Sequence, residues 1–251
     1  MRAATCRLHL PTNEMESIPM KPTHIGVIMD GNRRWAKAHA FELHRGHDTG
    51  AKTFGHLCEW CLQDNIPYLT VYAFSTENWK RNEREVRHLF GLMEKYFIEE
   101  KENCAQKGIK ITIIGDRSRF DARVLSIIEG IESATAHCTK LTVQIALSYG
   151  GRDEIVRAAK KIAANVAGGA MTIGDITEES FASCLDTAGV PDVDLVIRTG
   201  GAENHRMSNF LPWQTVYAEW FFSDLLFPDF SQEEFRLAVA YYNSIKRKHG
   251  V

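Results

Sequence analysis

The sequence predicts an α/β fold: a single domain with a central, mostly parallel sheet flanked by helices. Three observations carry this. Short apolar runs rich in β-branched residues alternate along the chain with longer segments of helical period, as in successive βαβ units. The first run, Ile25, Val27, Ile28 and Met29, is apolar on both sides of the strand, as a strand covered on both faces must be. The chain of 251 residues is 44% hydrophobic, enough for one domain of this size.

Taken in order, residues 1 to about 20 carry Pro11 and Pro19 among mixed polar residues with no period and read as a mobile arm, leaving 21–251 as the domain. The first strand ends at Asp30, and Trp35 to Ala40 reads as helix. His44, Arg45, Gly46 and His47 mark a break before a second helix from Asp48 to Gln63. Tyr68 to Phe74 is a β-branched and aromatic strand. From Glu83 to Cys104, Val86, Leu89, Phe90, Met93 and Phe97 recur at helical spacing opposite Glu85, Arg87, Glu94 and Lys95. Ile109 to Ile114 is the third strand, Phe120 to Ala136 a helix and Leu141 to Leu147 the fourth strand. Asp153 to Ala167 is helical and stops at Gly168 and Gly169. Thr177 caps a shorter helix to Asp186, and Asp194 to Ile197 is the last strand, before a polar loop and an aromatic stretch to Phe230.

Several function classes are disfavoured. A formal charge of -2 gives no broad attraction to nucleic acid, so any anion site is local. The N-terminal residues lack the apolar core of a signal peptide and no run is long enough to span a bilayer, which points to a cytoplasmic protein and leaves peripheral contact with a membrane open. Six cysteines in such a chain read as reduced thiols, and Cys58-x-x-Cys61 lacks a second pair with zinc spacing, so packing is its reading. Gly46 to Thr53, GHDTGAKT, misses the phosphate-loop pattern by its spacing and by Ala51. No dinucleotide fingerprint is present.

The chemistry gathers at strand ends. Asp30 to Arg34, Ser75 to Arg81, Ser148 to Arg152 and Arg198 to Ser208 each place polar or glycine-rich sequence after a strand. Any one of them is equally well a capped turn; Ser75 or Thr76, for instance, is a good helix cap. In a parallel sheet, however, all four ends share one edge, where ligands bind. Arg33, Arg34, Arg81, Arg198 and Arg206 would then converge beside Asp30, a hard oxygen ligand suited to Mg²⁺. Arginines with one acid and no nucleophile suit a diphosphate with Mg²⁺, where charge contact and metal stabilise a departing group.

The segments HIGVIMDGNRRWAK, GHDTGAK, YAFSTENWKR, IIGDRSRF, SYGGRDEI and DLVIRTGGAENHRMSNFLPWQTVYAEWFFSDLLFPDF, in that order, resemble the cis-prenyltransferases, the undecaprenyl diphosphate synthase family, from His24 to the C-terminus. The resemblance implies the cis-prenyltransferase fold and a Mg²⁺-dependent homodimer with an apolar tunnel. It implies condensation of isopentenyl diphosphate with an allylic diphosphate, usually farnesyl diphosphate, to a product of about undecaprenyl size. It further implies that Asp30 holds metal and diphosphate, and that Gly31, Asn32, Arg33, Arg34 and Trp35 bind the allylic substrate. Asn78 falls at the position of proton removal; an amide is a weak base, so it is expected to orient an acceptor. His47, Ser75, Thr76, Glu77, Trp79 and Arg81 match surrounding contacts. Arg198, Arg206, Met207 and Ser208 match the isopentenyl pocket, and His205 and Glu219 match metal-linked positions. The helical stripe from Val86 to Phe97, with Ala73, Leu92 and Leu141, becomes the expected tunnel wall.

The chain departs from the family pattern in places. Ala202 and Glu203 lengthen the loop before Arg206 and displace His205. Leu43 stands where the family often has an arginine, four residues before His47, with Arg45 as the nearest replacement. Ser148 stands where asparagine is common, and Lys246 to Gly250 is a looser version of the basic C-terminus. The rival readings are a short-chain or branching synthase of the same fold, a non-catalytic partner subunit and, more weakly, a phosphate-ester hydrolase.

Overall fold

The computed structural model describes residues 21–201 and 205–245. The N-terminal arm, the inserted Ala202 and Glu203, and the basic run from Lys246 lie outside the described residues. Within them the chain forms a six-stranded sheet from β1 (His24–Ile28), β2 (Tyr68–Ser75), β3 (Ile109–Ile114), β4 (Leu141–Tyr149), β5 (Leu195–Arg198) and β6 (Glu219–Phe222). The order is β3-β4-β2-β1-β5-β6 and every pairing is parallel. Helices α1 (Asn32–Ala38), α2 (Leu43–Gln63), α3 (Glu83–Lys107), α4 (Ala122–Thr135), α5 (Gly151–Ala167), α6 (Glu178–Ala182) and α7 (Gln232–Ser244) connect and cover it.

Residues on the two faces of β1 enter different cores. Ile25 and Val27 join a large cluster that includes Leu57, Phe97, Ile131 and Phe235, while Ile28 joins a smaller one with Val196, Tyr149 and Phe210. The central strands are therefore buried on both sides, which accounts for their continuous apolar character. Cys58 and Cys61 lie in the large core, and burial pushes both thiols up. They pack, as the sequence indicates, and do not form a reactive pair.

Besides shifted ends, as where α1 starts at Asn32 and α6 stops at Ala182 before the expected Asp186, three elements differ from the sequence reading. The aromatic stretch after Arg206 contains β6, whose four residues are too few to show a period and are half-buried at the sheet edge. The chain after Phe230 forms α7, capped by Ser231, whose side chain accepts from the Glu234 backbone N–H at 3.3 Å. The third difference is α2, which begins at Leu43 instead of Asp48, so His47 is held on a helix and not on a loop.

Gly46 and Gly50, which suggest a break, instead allow helices to approach. A Cβ on Gly46 would sit 2.0 Å from the carbonyl oxygen of Asn32, and one on Gly50 2.4 Å from Asn32 Oδ1. The opposing group at Gly46 is backbone and cannot swing away. Gly46→Ala is therefore expected to destabilise the protein by about 2 kcal/mol or more, as overpacking does, and to weaken the site through Asn32. Chemical denaturation of the variant checks this.

Candidate active site

The carboxyl ends of β1, β2, β4 and β5 meet as the sequence predicts. Ile28 pairs with Tyr72 on one side and with Arg198 on the other, placing Asp30 between the ends of β2 and β5. The register of β2 against β4 shifts on either side of Phe74. Such irregularities re-aim a strand end, here the one carrying Ser75.

Asp30 is fixed from the backbone outward. Its N–H donates to Thr199 Oγ1 at 3.0 Å, and its Oδ2 accepts from Arg198 Nη2 at 3.1 Å. Arg34 Nη2 lies 3.3 Å from Oδ1. Arg198 is only 4% exposed, and its Nη1 donates to Ser208 Oγ at 2.6 Å and to the Arg206 carbonyl. Burial pulls this guanidinium below its usual range and the Asp30 carboxylate acts against that pull. The left-handed backbone of Ser208 and Asn209 bends the loop back over Arg198.

A second ionic group lies across the mouth. Glu85 Oε1 accepts from Arg81 Nη1 at 3.1 Å and lies 3.7 Å from Arg33 Nε and 3.8 Å from His47 Nε2. Burial, then the charge of Arg81, lowers His47 to about 4 against the opposing effect of Glu85, so it is neutral at physiological pH.

These groups enclose two polar basins on either side of Asp30. One, of about 440 Å³, is lined by Gly31, Arg33, Arg34 and Lys37. The other, of about 580 Å³, is lined by Ser75, Glu77, Asn78, Arg198, Arg206 and Ser208. Asp30, Asn32, His47 and Arg81 border both. An apolar cavity of about 110 Å³ opens from the same place, bounded by Asn32, His47, Ala73, Leu89 and residues deeper along α2 and α3. Two cationic basins sharing a carboxylate, joined to an apolar cavity, suit two anionic headgroups and one greasy tail.

Comparison with known proteins assigns the chain. The family model described as "Putative undecaprenyl diphosphate synthase" matches residues 28–250. The chain belongs to the undecaprenyl diphosphate synthase family. It is 44% identical over 236 residues to an isoprenyl transferase of Helicobacter hepaticus, covering 92% of this chain and 98% of the relative. Identity is 41% over 229 residues, with 91% and 90% covered, to the ditrans,polycis-undecaprenyl-diphosphate synthase ((2E,6E)-farnesyl-diphosphate specific) of Pseudomonas aeruginosa. Among solved structures, lavandulyl diphosphate synthase from Lavandula x intermedia in complex with dimethylallyl diphosphate superposes with a TM-score of 0.88. Its identity is 34%, with 92% of this chain and 99% of that one covered. The protein is a prenyltransferase.

For a prenyltransferase, several placements are informative. Asn78 Oδ1 accepts from the Ser75 backbone N–H at 3.1 Å and so caps the 3₁₀ turn Thr76–Lys80. Its Oδ1 is thereby engaged in the turn, and its amide nitrogen offers two donors where Asn78 lines the basin. Trp79 packs between Phe74 and Phe90, with ring centroids 5.0 and 5.2 Å away, and donates to Ser148 Oγ at 2.9 Å. It braces the β2 end and lines neither basin. Trp35 faces outward, donating to Asp229 Oδ1 at 2.7 Å. Thr76 lies against Gly150, and Met207 is exposed on the loop.

His205 packs on the Phe222 ring, 4.5 Å between centroids, beyond the carboxyl end of β6. Glu219 opens β6 opposite Leu195, three register steps from the Arg198–Phe222 pair. A single chain thus does not bring Glu219 to Asp30. Among the described residues no group of three or more His, Cys, Asp or Glu could hold a metal. Asp30 alone nevertheless fits Mg²⁺, which binds through one or two carboxylates plus substrate phosphates. Its two oxygens offer about four lone-pair sites, and the two arginines leave sites free.

The tunnel wall also needs correction. Ala73, Leu89, Leu92, Met93 and Phe97 line the cavity as expected. Val86 and Phe90 do not, because Phe90 is taken up by an aromatic cluster with Phe74, Trp79 and Phe120. Leu141 begins β4 at the opposite end of the strand and is wholly buried in the core. Sequence reasoning misses Glu85, Thr199 and Lys37. Glu85 sits on the polar side of α3, where a solvated carboxylate is the natural reading. Arg45, the sequence candidate to replace the arginine absent at Leu43, lines the outer groove between α2 and α3. Lys37 is the cation that joins Arg33 and Arg34 in the smaller polar basin.

The depressed His47 pKa has a consequence for stability. The unfolded chain binds a proton near pH 6.5 and the folded chain only near 4, so stability rises with pH across that window. Lowering the pH from 6.5 to 4 should cost the substrate-free protein on the order of 3 kcal/mol through this group. Thermal unfolding of wild type against His47→Gln isolates it: the variant should show a shallower loss over that window.

Proposed function

We propose that the protein elongates cis-prenyl chains by condensing isopentenyl diphosphate with an allylic diphosphate. Farnesyl diphosphate is the proposed primer, with Mg²⁺ bound at Asp30 and a polyprenyl diphosphate of undecaprenyl size as product. The observation that carries this reading is the pair of cationic basins flanking Asp30, with the apolar cavity opening between them.

In this reading the allylic diphosphate occupies the basin of Arg33, Arg34, Lys37 and Arg81, with its tail in the cavity. The isopentenyl diphosphate rests on Arg198, Arg206 and Ser208. Both orders of charge are met: donors surround each anion, and the neutral His47 donates or accepts at their boundary. Three buried polar atoms here, Asn32 Oδ1, His47 Nε2 and Arg198 Nε, hydrogen-bond to no described residue. Buried polar groups require partners: the Arg198 Nε–H, and His47 Nε2 in its N–H tautomer, can donate to a bound diphosphate, whereas Asn32 Oδ1 is itself an acceptor. In the condensation the allylic C1–O bond breaks and its electron pair leaves with the diphosphate. The isopentenyl double bond attacks C1, and a proton is lost to an oxygen of a diphosphate that Asn78 helps to orient. Mg²⁺ would add charge stabilisation at the departing diphosphate.

A homodimer is part of the proposal. The open edge of the sheet at β6, with half-buried Trp220 and Phe222 and the 93% exposed Tyr217 just before it, supports it. No helix among the described residues is long and apolar enough to cross a membrane. A short-chain or branching product is the second reading, favoured by the small volume of the cavity.

The test uses the purified protein without partner, labelled isopentenyl diphosphate and a panel of allylic diphosphates, with and without chelator. Chelator-sensitive label in extractable lipid, with farnesyl diphosphate the best primer, supports the proposal. Phosphate release without isopentenyl diphosphate, or activity only with a partner subunit, overturns it.

A further inference from the structure

The segment Ile113 to Phe120, IIGDRSRF, lines neither polar basin, yet it holds the turn that carries Asn78. Its own anchoring is firm. Asp116 caps the 3₁₀ turn Arg117–Arg119, accepting from the Ser118 backbone N–H at 3.0 Å. Arg117 donates to the Ile113 carbonyl at 2.7 Å and to both carboxylate oxygens of Glu132 on α4 at 2.6 and 3.0 Å. Gly115 has left-handed backbone, φ 123°, and a Cβ there would lie 2.0 Å from the Leu147 carbonyl oxygen, so the segment passes directly against the end of β4.

Three contacts run from this anchored segment towards the site. The Asp116 N–H donates to the Ser148 carbonyl at 3.1 Å, and the Ser148 hydroxyl in turn accepts from the Trp79 indole N–H at 2.9 Å. Ser148 is wholly buried with left-handed backbone, φ 49°, which is uncommon for a residue with a Cβ, so its place is set by the surrounding fold. The Phe120 ring packs 6.4 Å from that of Trp79. The Arg119 guanidinium sits over the Trp79 ring, 4.6 Å from its centroid.

A cation is attracted to the negative face of an aromatic ring, and tryptophan is the best such partner. Arg119 is exposed, and its guanidinium makes no hydrogen bond or ion pair among the described residues, so the indole is what holds it. Trp79 directly follows Asn78 and is the side chain of the turn Thr76–Lys80 that packs on the large core. Whatever fixes the Trp79 ring therefore fixes the Asn78 amide at the larger polar basin.

We infer that Arg119 is a positioning residue for the condensation: by clamping the Trp79 ring it sets the turn Thr76–Lys80, and with it the direction of the Asn78 amide. The inference rests on the chain-elongation reading above and adds to it a residue outside both basins. Loss of the clamp lowers the fraction of molecules whose turn is productive, and a misplaced orienting group is felt in the rate of the chemical step.

The experiment measures the single-turnover rate of the first condensation by the full chain, with labelled isopentenyl diphosphate, Mg²⁺ and the best-priming allylic diphosphate of a panel. Arg119→Gln should lower that rate by about 3- to 30-fold, the span of a cation–π contact from exposed to desolvated. The isopentenyl diphosphate concentration at half-maximal rate should not move, and the melting temperature should fall by only about 2–4 °C. Arg119→Lys, which keeps a cation within reach of the ring, should recover most of the rate. On a Trp79→Leu background Arg119→Gln should add no further loss, because residues in contact act together; if Trp79→Leu does not fold, the lysine variant decides. A wild-type rate from Arg119→Gln, a lysine variant as slow as the glutamine one, or an additive loss on the Trp79→Leu background overturns the role of Arg119 alone. No incorporation of label by wild type with any primer overturns the elongation reading, and this role with it.

Discussion

Asp30→Ala is expected to lower kcat/KM for the proposed condensation by about 10³-fold or more, the loss of both the proposed Mg²⁺ site and electrostatic stabilisation at a departing group. The expectation follows from geometry. Asp30 is the carboxylate common to the two basins, and both of its oxygens already face guanidinium groups, at 3.1 and 3.3 Å. Removing it leaves three arginines, Arg34, Arg198 and Arg206, facing one another and an incoming anion without the group that organises them. The fold should survive, because the Asp30 backbone N–H keeps its bond to Thr199 and the side chain is about one-third exposed. The stability loss should stay near 1–3 kcal/mol, below the 3–5 kcal/mol of breaking a fully buried pair. Steady-state kinetics with a thermal melt separate the two effects. A folded variant with activity close to wild type would remove Asp30 from the centre of the site.

Much of this site is legible in the sequence because strand ends in a parallel sheet are forced onto one edge. Once β1, β2, β4 and β5 are recognised from their apolar runs, Asp30, Ser75, Ser148 and Arg198 must be neighbours whatever the loops do. Residues whose role depends on helix rotation are less legible. Glu85 and Lys37 lie on polar helical faces, and nothing in a charged face says which of its members points into a cleft. Gly46 carries a genuine signal that is easily misread: a glycine beside polar residues suggests a break, yet here it is the contact point of two helices. Leu141 shows the same limit in a strand. Its apolar character fits a tunnel wall, but β4 is long and Leu141 sits at its far end.

The departure at Leu43 acquires a structural answer. The side chain begins α2 and borders neither basin, and Arg45 turns to the outer groove. Lys37, one turn after Arg33 on α1, lines the basin proposed for the allylic diphosphate instead. A lysine offers a point charge where an arginine offers a fork. In the proposed reading the allylic headgroup thus meets one point charge among the forked donors Arg33, Arg34 and Arg81, and the isopentenyl side is held by the buried fork of Arg198.

Arg198→Lys is the sharpest test of which anion sits where, because Arg198 lines one basin and not the other. Arg198 divides its donors among Asp30 at 3.1 Å, Ser208 at 2.6 Å and the Arg206 carbonyl, and its Nε hydrogen-bonds to no described residue. Lysine keeps the positive charge but presents its donors from one nitrogen and cannot span these directions. The loop from Arg206 to Ser208 loses its tether, and a ligand on that side loses one or two charge-assisted bonds at about 1.5–3 kcal/mol each. KM for isopentenyl diphosphate should therefore rise by about 10- to 100-fold. KM for the allylic primer should change little, since its basin is built from α1 and Arg81. Because the charge is retained beside Asp30, the fold is preserved and the two KM values can be compared directly in steady-state assays. A rise confined to the allylic primer would reverse the assignment of the two basins.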